Sequence, residues 1–381
     1  MRTLGADRAQ TRDVGLPSPG LRRLAAPLGI FACSRAALGL VLFFALKLPT
    51  AGGASRFLAY WDGAWYLEVA RHGYPNALVP APGQSDHAFF PLYPLAIRAF
   101  HGLTGLSWVT SALAVNLVAS GLAMAVIYVL IERLMDAPAA LRTVTLLCFF
   151  PWAFIFSMAY SEGILLLASA ICLLALLDER WVVAGLAALA AGASRPTGFV
   201  LFLPCAWAAA AAFRRTRSIR PFVAPLLAPW GVIGFFAFLQ WRTGDFLANL
   251  HARDRGWSSQ GFGFQSSQVG KVLSTYLAHP LMDLDRTASF ATLALVVVCI
   301  VLMARWRPPM IIWLYTVSTL ALAAYFQTYS STPRFALTAF PLFAPLARSL
   351  RDVPFWLVIG TSAMLMAVLF CLIGTTTWLV P

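Results

Sequence analysis

Charged side chains are scarce in this 381-residue sequence: they make up 11% of it, against 60% for hydrophobic residues. This composition excludes a soluble globular domain, because too few polar residues are present to cover a water-exposed surface. Lysine is nearly absent, with Lys47 and Lys271 as its two positions, so arginine supplies almost all of the positive charge behind the net +13. In an apolar chain this balance is typical of cytoplasmic loops and anionic lipid contact, and it does not indicate nucleic acid.

Several catalytic and structural motifs are also missing. The six cysteines lie in apolar runs without a CxxC, which excludes a disulfide framework and a cysteine metal site. HExxH, paired-histidine and GxSxG patterns are absent, and the glycine-rich QGFGFQSSQ lacks the strand–loop–helix context of a nucleotide site. The first twenty residues have no apolar core with a cleavage site, so we expect residues 1–23 to form a cytoplasmic tail.

Apolar runs dominate what is present, and they predict an all-α polytopic membrane protein occupying residues 24–381. Some runs are too short to cross a bilayer of about 30 Å untilted, so half-helices or broken pairs are expected. The predicted segments, about eleven transmembrane helices, are 24–48, 107–131, 140–157, 161–178, 181–194, 197–213, 221–241, 287–304, 309–326, 334–348 and 354–379.

Arginine placement predicts the orientation of these helices. With a cytoplasmic N-terminus, every short inner loop holds at least one arginine, as the positive-inside tendency requires. The two long loops, 49–106 and 242–286, then lie outside. All five histidines fall on that non-cytoplasmic side, together with Asp62, Glu162, Arg195, Asp245 and Arg334. We therefore expect any chemistry at this face of a multi-pass protein.

The first outer loop is rich in aromatic residues, which favour the headgroup layer. After Asp62, helical spacing places Trp65, Tyr66 and Val69 near one face, so a short interfacial helix is predicted. Pro94 opens a second such helix. Asp62 at the helix start is either an N-cap, which spacing alone favours, or a carboxylate that faces an amphiphilic substrate.

Other ionisable residues stand at span ends, and each has a structural alternative. Glu162 is a functional candidate or a first-turn acid favoured by the helix dipole. Arg195, in the turn SRPTGF, faces a wet cavity or an anion, or is an interface anchor. Asp245 after Gly244 binds substrate or caps a helix. Arg334 suits phosphate recognition, because its guanidinium keeps its charge and forms a fork.

Taken together, the motifs resemble the membrane mannosyltransferases of the PIG-V type, the second GPI mannosyltransferase of eukaryotes and its bacterial relatives. The resemblance rests on WDGAWYLEVARHGYP with AFFPLYP, then YSEG, SRPTGF, TGDF with Trp257, and STPRFALTAFPLF, in this order. It extends from Trp61 to Phe343, and the ordered set is more specific than any single motif. The scarcity of lysine favours a GC-rich, bacterial source.

The resemblance implies a GT-C-type bundle with interfacial helices and a catalytic first outer loop. Asp62 matches the family's acidic catalytic position, and Trp61, Glu162, Arg195, Asp245 and Arg334 are the expected substrate-binding residues. Many GT-C enzymes carry paired acids in this loop, whereas Gly63 follows Asp62 here, so the second acid is unidentified. No cofactor is implied; a divalent metal is left open, and we expect no tightly held ion.

The expected function is inverting transfer of mannose or another hexose from a polyprenyl-phosphate carrier to a lipid or glycan acceptor, at the non-cytoplasmic face of the cell membrane. One displacement requires one essential base, and arginines stabilise the charge of the leaving phosphate. The rival hypothesis is a transporter or flippase of a lipid-linked sugar, which predicts two similar halves. A non-catalytic scaffold for another membrane enzyme is a third alternative.

Overall fold

The computed structural model describes residues 21–48, 53–80, 83–256, 284–326 and 332–375, and within them every regular secondary-structure element is a helix. Most of the predicted tail 1–23, the part 257–283 of the second long loop, and Trp257 lie outside the described residues. The α-helices are α1 Leu21–Ala45, α2 Ala54–Leu58, α3 Asp62–His72, α4 Leu92–Thr104, α5 Trp108–Leu134, α6 Ala137–Phe149, α7 Glu162–Leu177, α8 Trp181–Ser194, α9 Phe202–Thr216, α10 Val223–Leu227, α11 Trp230–Thr243, α12 Ala248–Gly256, α13 Leu284–Trp306, α14 Met310–Phe326, α15 Thr332–Thr338, α16 Phe343–Ser349 and α17 Asp352–Thr375.

All eleven predicted apolar segments fall on helices, so the predicted all-α fold is confirmed. Among the described residues, four helices are long and apolar enough to cross a bilayer alone, namely α1, α5, the continuous run Pro196–Thr216, and α17. The expected broken span is Arg220–Leu227 followed by Trp230–Thr243, bent by 42°. Shorter apolar helices such as α6, α7 and α8 supply the rest of the bundle.

Ion pairs join the helix ends that the arginine pattern assigns to one side. Arg23 of α1 pairs with Glu132 of α5 at 2.9 Å, and Arg133 pairs with Asp178 after α7. Arg215 of α9 binds Glu179 at 2.6 Å. Glu162 begins α7, so it lies about 24 Å from Asp178 by the helical rise, at the end that carries the long loops. These ion-paired helix ends therefore lie together at one end of the bundle and Glu162 lies at the other, while the side of the membrane that each end faces stays a prediction.

The two predicted interfacial helices are α3 and α4, and they begin within two residues of the expected positions. They pack through buried Tyr66, Leu67, Ala70, Tyr93 and Ile97. The favoured N-cap role of Asp62 is wrong. Asp62 is the first residue of α3 and makes no capping hydrogen bond, because Trp61 takes the N-cap position with a left-handed φ of 54°. The Asp62 side chain is therefore available for another partner.

Two polar side chains inside the bundle hold the turn between α6 and α7. Arg35 of α1 donates to the carbonyls of Cys148 at 2.8 Å and Ala153 at 2.6 Å, which satisfies the helix end in an apolar setting. Asn116 of α5 donates to Ile155 O and Met158 O, both at 2.8 Å. These contacts fix the segment that leads to Glu162.

Candidate active site

Four charged side chains, each from a different predicted loop or turn, meet at the long-loop end of the bundle. Arg334 Nη1 donates to Asp62 Oδ2 at 2.7 Å, and Arg334 Nε lies 3.4 Å from Glu162 Oε1. Arg195 Nη1 donates to the same Glu162 oxygen at 2.5 Å. We call Asp62, Glu162, Arg195 and Arg334 the charge cluster. Its two acids and two arginines cancel in formal charge, which is the condition for keeping them together in a buried place.

The two acids of the charge cluster differ in how much of each side chain solvent can reach. The side chain of Glu162 is 0% exposed, whereas that of Asp62 is 24% exposed. Arg195 and Arg334 are 9% and 6% exposed. Asp62 is therefore the accessible acid of the charge cluster, and Glu162 holds the two guanidinium groups from the buried side. Glu162 also stands in the first turn of α7, as the helix-dipole alternative requires, and its functional role stays a prediction.

Close packing around glycines brings the elements of the cluster together. A Cβ at Gly63 would lie 3.3 Å from Ala159 Cβ and from Ala159 O, so glycine lets α3 approach the segment before Glu162. Ala159 N also donates to Leu58 O at 2.7 Å. In the turn after α8, a Cβ at Gly198 would lie 2.1 Å from the Ala191 carbonyl carbon. Gly63, directly after Asp62, and Gly198, three residues after Arg195, thus have a steric reason to be small.

Aromatic and hydroxyl groups line the cluster. Tyr66 and Ser161 share a hydrogen bond of 2.7 Å between their hydroxyls, and Arg195 Nη1 donates to Ser161 Oγ at 3.3 Å. Burial raises the pKa of Tyr66 to about 12, so its hydroxyl stays protonated at neutral pH. The guanidinium groups of Arg334 and Arg195 lie over the Phe335 ring, at 5.3 and 5.6 Å from its centroid. Both arginines are therefore held on several sides.

Trp61 precedes the cluster in a strained conformation. Its φ of 54° is in the left-handed region, which costs a non-glycine residue about 1–3 kcal/mol. Its indole Nε1 is buried and has no hydrogen-bond partner among the described residues. Strain of this kind is frequent at functional sites, where it fixes the direction of the next side chain. Here the next side chain is Asp62.

Arg253 of α12 is a cation of this site that sequence reasoning missed. Its charge interacts with those of Asp62, Arg195 and Arg334, and it is half-buried. Burial and the neighbouring Arg195 lower its pKa, while Asp62 raises it. Within the described ranges, no carboxylate lies in ion-pair distance of Arg253. Asn249 anchors the same helix to the first loop by donating to His87 O at 2.7 Å.

Asp245 makes its contacts within its own loop. Its Oδ1 accepts from Leu247 N at 2.9 Å, and its Oδ2 lies 2.7 Å from His251 Nδ1. This arrangement fits the capping alternative for the start of α12. Its role as a substrate contact therefore stays a prediction. In the described part of the chain, no group of three or more His, Cys, Asp or Glu side chains is arranged to hold a metal ion.

Comparison with known proteins identifies the fold. No family model matches the chain, and no curated protein matches it. The crystal structure of ArnT from Cupriavidus metallidurans bound to undecaprenyl phosphate is similar, with a TM-score of 0.52 and 15% identity over 89% of this chain and 63% of ArnT. Its apo state gives 0.51 over the same shares. An Archaeoglobus fulgidus oligosaccharyltransferase, tethered to an acceptor peptide, matches at 0.46 and 12% identity over 92% of this chain and 56% of its own.

The likeness to ArnT shows the fold, which is the GT-C membrane glycosyltransferase fold expected from the sequence. This chain spans 63% of the length of ArnT. The finer resemblance to the PIG-V type has no matching family model behind it, so it stays a proposal.

Proposed function

We propose that this protein is a glycosyltransferase that moves a hexose from a polyprenyl-phosphate carrier to a lipid or glycan acceptor at the non-cytoplasmic face of the cell membrane. The resemblance to the PIG-V type favours mannose as the hexose. The observation that carries the proposal is Asp62, whose carboxylate side chain is 24% exposed, pairs with Arg334 and interacts with the charge of Arg253. The similar ArnT structure contains undecaprenyl phosphate, which supports a carrier of this class.

Asp62 is the general base of the proposed reaction. Its Oδ2 is held by Arg334, which leaves Oδ1 to accept the proton of an acceptor hydroxyl. As that proton leaves, the acceptor oxygen forms a bond to the anomeric carbon, and the bond from that carbon to the phosphate oxygen breaks. The leaving oxygen keeps the bonding electrons, so polyprenyl phosphate is the second product. A single displacement of this kind inverts the anomeric centre and needs one base.

The arginines stabilise the charge that the phosphate gains as the bond breaks. Arg195 and Arg334 are already paired with Glu162 and Asp62, whereas Arg253 adds a positive charge without a carboxylate within ion-pair distance among the described residues. A preorganised cation beside a developing anion lowers the barrier without reorganisation during the reaction. Trp61, next to Asp62, and Asp245 remain predicted substrate contacts.

The activity is tested by incubating the purified protein with labelled polyprenyl-phosphate mannose and a lipid extract from its host. We expect label to move from the donor to a new product, and the transfer to depend on Asp62. The proposal would be refuted if this donor, and polyprenyl-phosphate donors that carry other hexoses, all stayed intact in the presence of the extract. In sealed vesicles, movement of the intact donor across the bilayer would instead favour the flippase alternative.

The role of Arg253 has a matched control on the same helix, because Arg255 is exposed and Arg253 faces the charge cluster. We expect Arg253→Gln to lower kcat/KM for the donor about 100-fold, comparable to loss of one preorganised oxyanion donor. Arg255→Gln should leave it near the parental value. Equal effects of the two substitutions would remove Arg253 from the site.

A further inference from the structure

An apolar groove reaches Ala193, two residues before Arg195, without including any residue of the charge cluster. Its volume is about 510 Å³, within the range of roughly 300–1,000 Å³ that is usual for ligand sites. Four elements form it: the end of α3, the start of α4, the second half of α8 and most of α11. Representative lining residues are Val69, Leu95, Ala193, Trp230 and Phe235.

The groove follows α11, the second half of the broken span. Trp230 lies at the bend of 42°, inside the span, and Arg242 lies in the last turn at the long-loop end. The helix between them is about 18 Å long by the helical rise. Gly234 lines the groove without a side chain, and a Cβ added there would have no neighbouring atom within 4 Å, so the groove is open at this point. The groove thus has the direction and the lining of a site for a hydrocarbon chain.

Two guanidinium groups stand at the loop end of this groove. Arg98 Nε donates to Ala70 O at 2.8 Å and its Nη2 donates to Arg71 O at 3.1 Å. Arg242 Nε donates to Tyr74 O at 3.0 Å. Backbone carbonyls thus orient both side chains, and other N–H groups of each guanidinium are left over. In the part of the chain that the structure describes, neither has a carboxylate within ion-pair distance.

Distance separates these arginines from the reacting centre. Arg98 binds the C-terminal end of α3, whereas Asp62 begins that helix, and the rise between Asp62 and Ala70 or Arg71 is about 12–14 Å. The phosphate of the proposed donor is bonded directly to the carbon under attack, so it has to lie at the charge cluster. A phosphate at Arg98 and Arg242 therefore belongs to a different molecule.

We propose that the groove binds the acceptor as an anionic lipid, with its chain along α11 and its phosphate at Arg98 and Arg242. This inference rests on the proposed function and specifies its acceptor. The headgroup beyond the phosphate then extends along α3 and presents a hydroxyl to Asp62. A free glycan would use neither the apolar walls nor the paired arginines.

Binding is tested by filling the groove. Gly234→Phe places a ring where the groove is open, and Gly360→Phe, on the exposed side of α17 with equal space at its Cβ, is the control. Each protein is placed in nanodiscs that contain phosphatidylglycerol with a photoreactive chain. We expect crosslinks within residues 230–242 to fall about tenfold in Gly234→Phe and to persist in Gly360→Phe, since blocking removes most of the apolar contact area. Equal crosslinking in both would overturn the site.

The acceptor role is tested by kinetics with the anionic lipid fraction of the host. Removing both charges, Arg98→Gln with Arg242→Gln, should raise the acceptor KM about tenfold, since a charge-assisted contact is lost and each tenfold corresponds to about 1.4 kcal/mol. The donor KM should stay unchanged, and exposed Arg255→Gln is the control. Lost crosslinking with an unchanged acceptor KM would assign the groove to a membrane phospholipid and overturn the proposal.

The two proposals fail in distinguishable ways. Absence of transfer by the parental protein refutes the glycosyltransferase and, with it, the acceptor role, while crosslinking still reports on the groove. Transfer that proceeds equally well to the neutral lipid fraction, or to a soluble glycan, keeps the glycosyltransferase and refutes the anionic acceptor.

Discussion

Replacing Asp62 by Asn separates catalysis from structure, and the chain supplies a matched control. Asp178 also pairs with an arginine, and its side chain is 24% exposed, the same fraction as that of Asp62. Asp62→Asn and Asp178→Asn therefore remove the same charge from equally exposed, ion-paired aspartates at opposite ends of the bundle. Only Asp62 lies in the charge cluster.

The expected loss of stability is modest in both variants. Removing one member of a fully buried pair costs about 3–5 kcal/mol, because a charge is left unpaired. Arg334 keeps Glu162 Oε1 at 3.4 Å after Asp62→Asn, so we expect a loss of about 1–2 kcal/mol there. Arg133 is 32% exposed and is solvated when Asp178 is lost, so that cost should be about 0–1 kcal/mol.

The expected loss of turnover differs far more. An amide cannot take the proton of the acceptor hydroxyl, so Asp62→Asn should transfer sugar at least about 100-fold more slowly, which corresponds to about 2.7 kcal/mol of barrier. Asp178→Asn should retain parental turnover. The assay is product formation at saturating donor and acceptor, with thermal unfolding in detergent measured on the same samples. Parental turnover in a stable Asp62→Asn protein would refute the catalytic role.

Three further predictions concern the fold around the site. Gly163→Ala should lower stability by about 1–3 kcal/mol, because the added Cβ would lie 2.4 Å from Ser120 Oγ. The control is Gly39→Ala, whose Cβ would have nothing within 4 Å and which should leave stability unchanged. Thermal unfolding measures both variants, and equal melting temperatures would contradict the packing around Gly163. Burial lowers the pKa of His87 below 6.5. The stability that neutral His87 contributes is therefore present above pH 6.5 and is lost as the pH falls through the lower pKa of the folded state. The melting temperature should fall between pH 7.5 and 5, and His87→Gln should reduce this pH dependence. In cells, a cysteine at exposed Asn76 should react with an impermeant reagent while one at exposed Thr216 does not, in a background without Cys33, and the reverse labelling would invert the topology.

The fold was predictable because its main determinant is local. The position and length of each apolar run can be seen in the sequence itself, and every predicted run falls on a helix. Arg133 and Arg215, which the arginine pattern assigns to one side, both pair with acids at the end of α7, while the side of the membrane itself stays a prediction. The sequence pattern did not predict which short helices pack against each other in the bundle, because tertiary contacts between distant parts of the chain determine that packing.

The residues of the charge cluster stood out one by one in the sequence, but their arrangement could not be predicted from it. Asp62, Glu162, Arg195 and Arg334 each stood out as an ionisable group at a span end, and the structure brings all four together. Their mutual pairing depends on contacts between distant parts of the chain, for which sequence spacing gives no rule. The N-cap prediction for Asp62 failed because it assumed ordinary backbone geometry, whereas Trp61 adopts a left-handed φ.

Two residues missed by sequence reasoning differ in how they could have been found. Asn116 carries a signal: it is an amide inside a 27-residue apolar helix, and such a polar group has to find partners there. It binds Ile155 O, Met158 O and Gly163 N. Arg253 carries no such signal, because it stands among other basic residues in HARDRGW and only the docking of α12 distinguishes it from Arg255.

The missing second acid of the first loop has a physical counterpart in Glu162. A second carboxylate that touched substrate would need an exposed oxygen, yet the Glu162 side chain is 0% exposed and its Oε1 faces both Arg195 and Arg334. Its negative charge is what permits two guanidinium groups to stay buried side by side. A cluster that is neutral without Arg253 and positive with it suits a substrate that arrives with one negative charge and leaves with more. One accessible base then suffices, which is the requirement of a single inverting displacement.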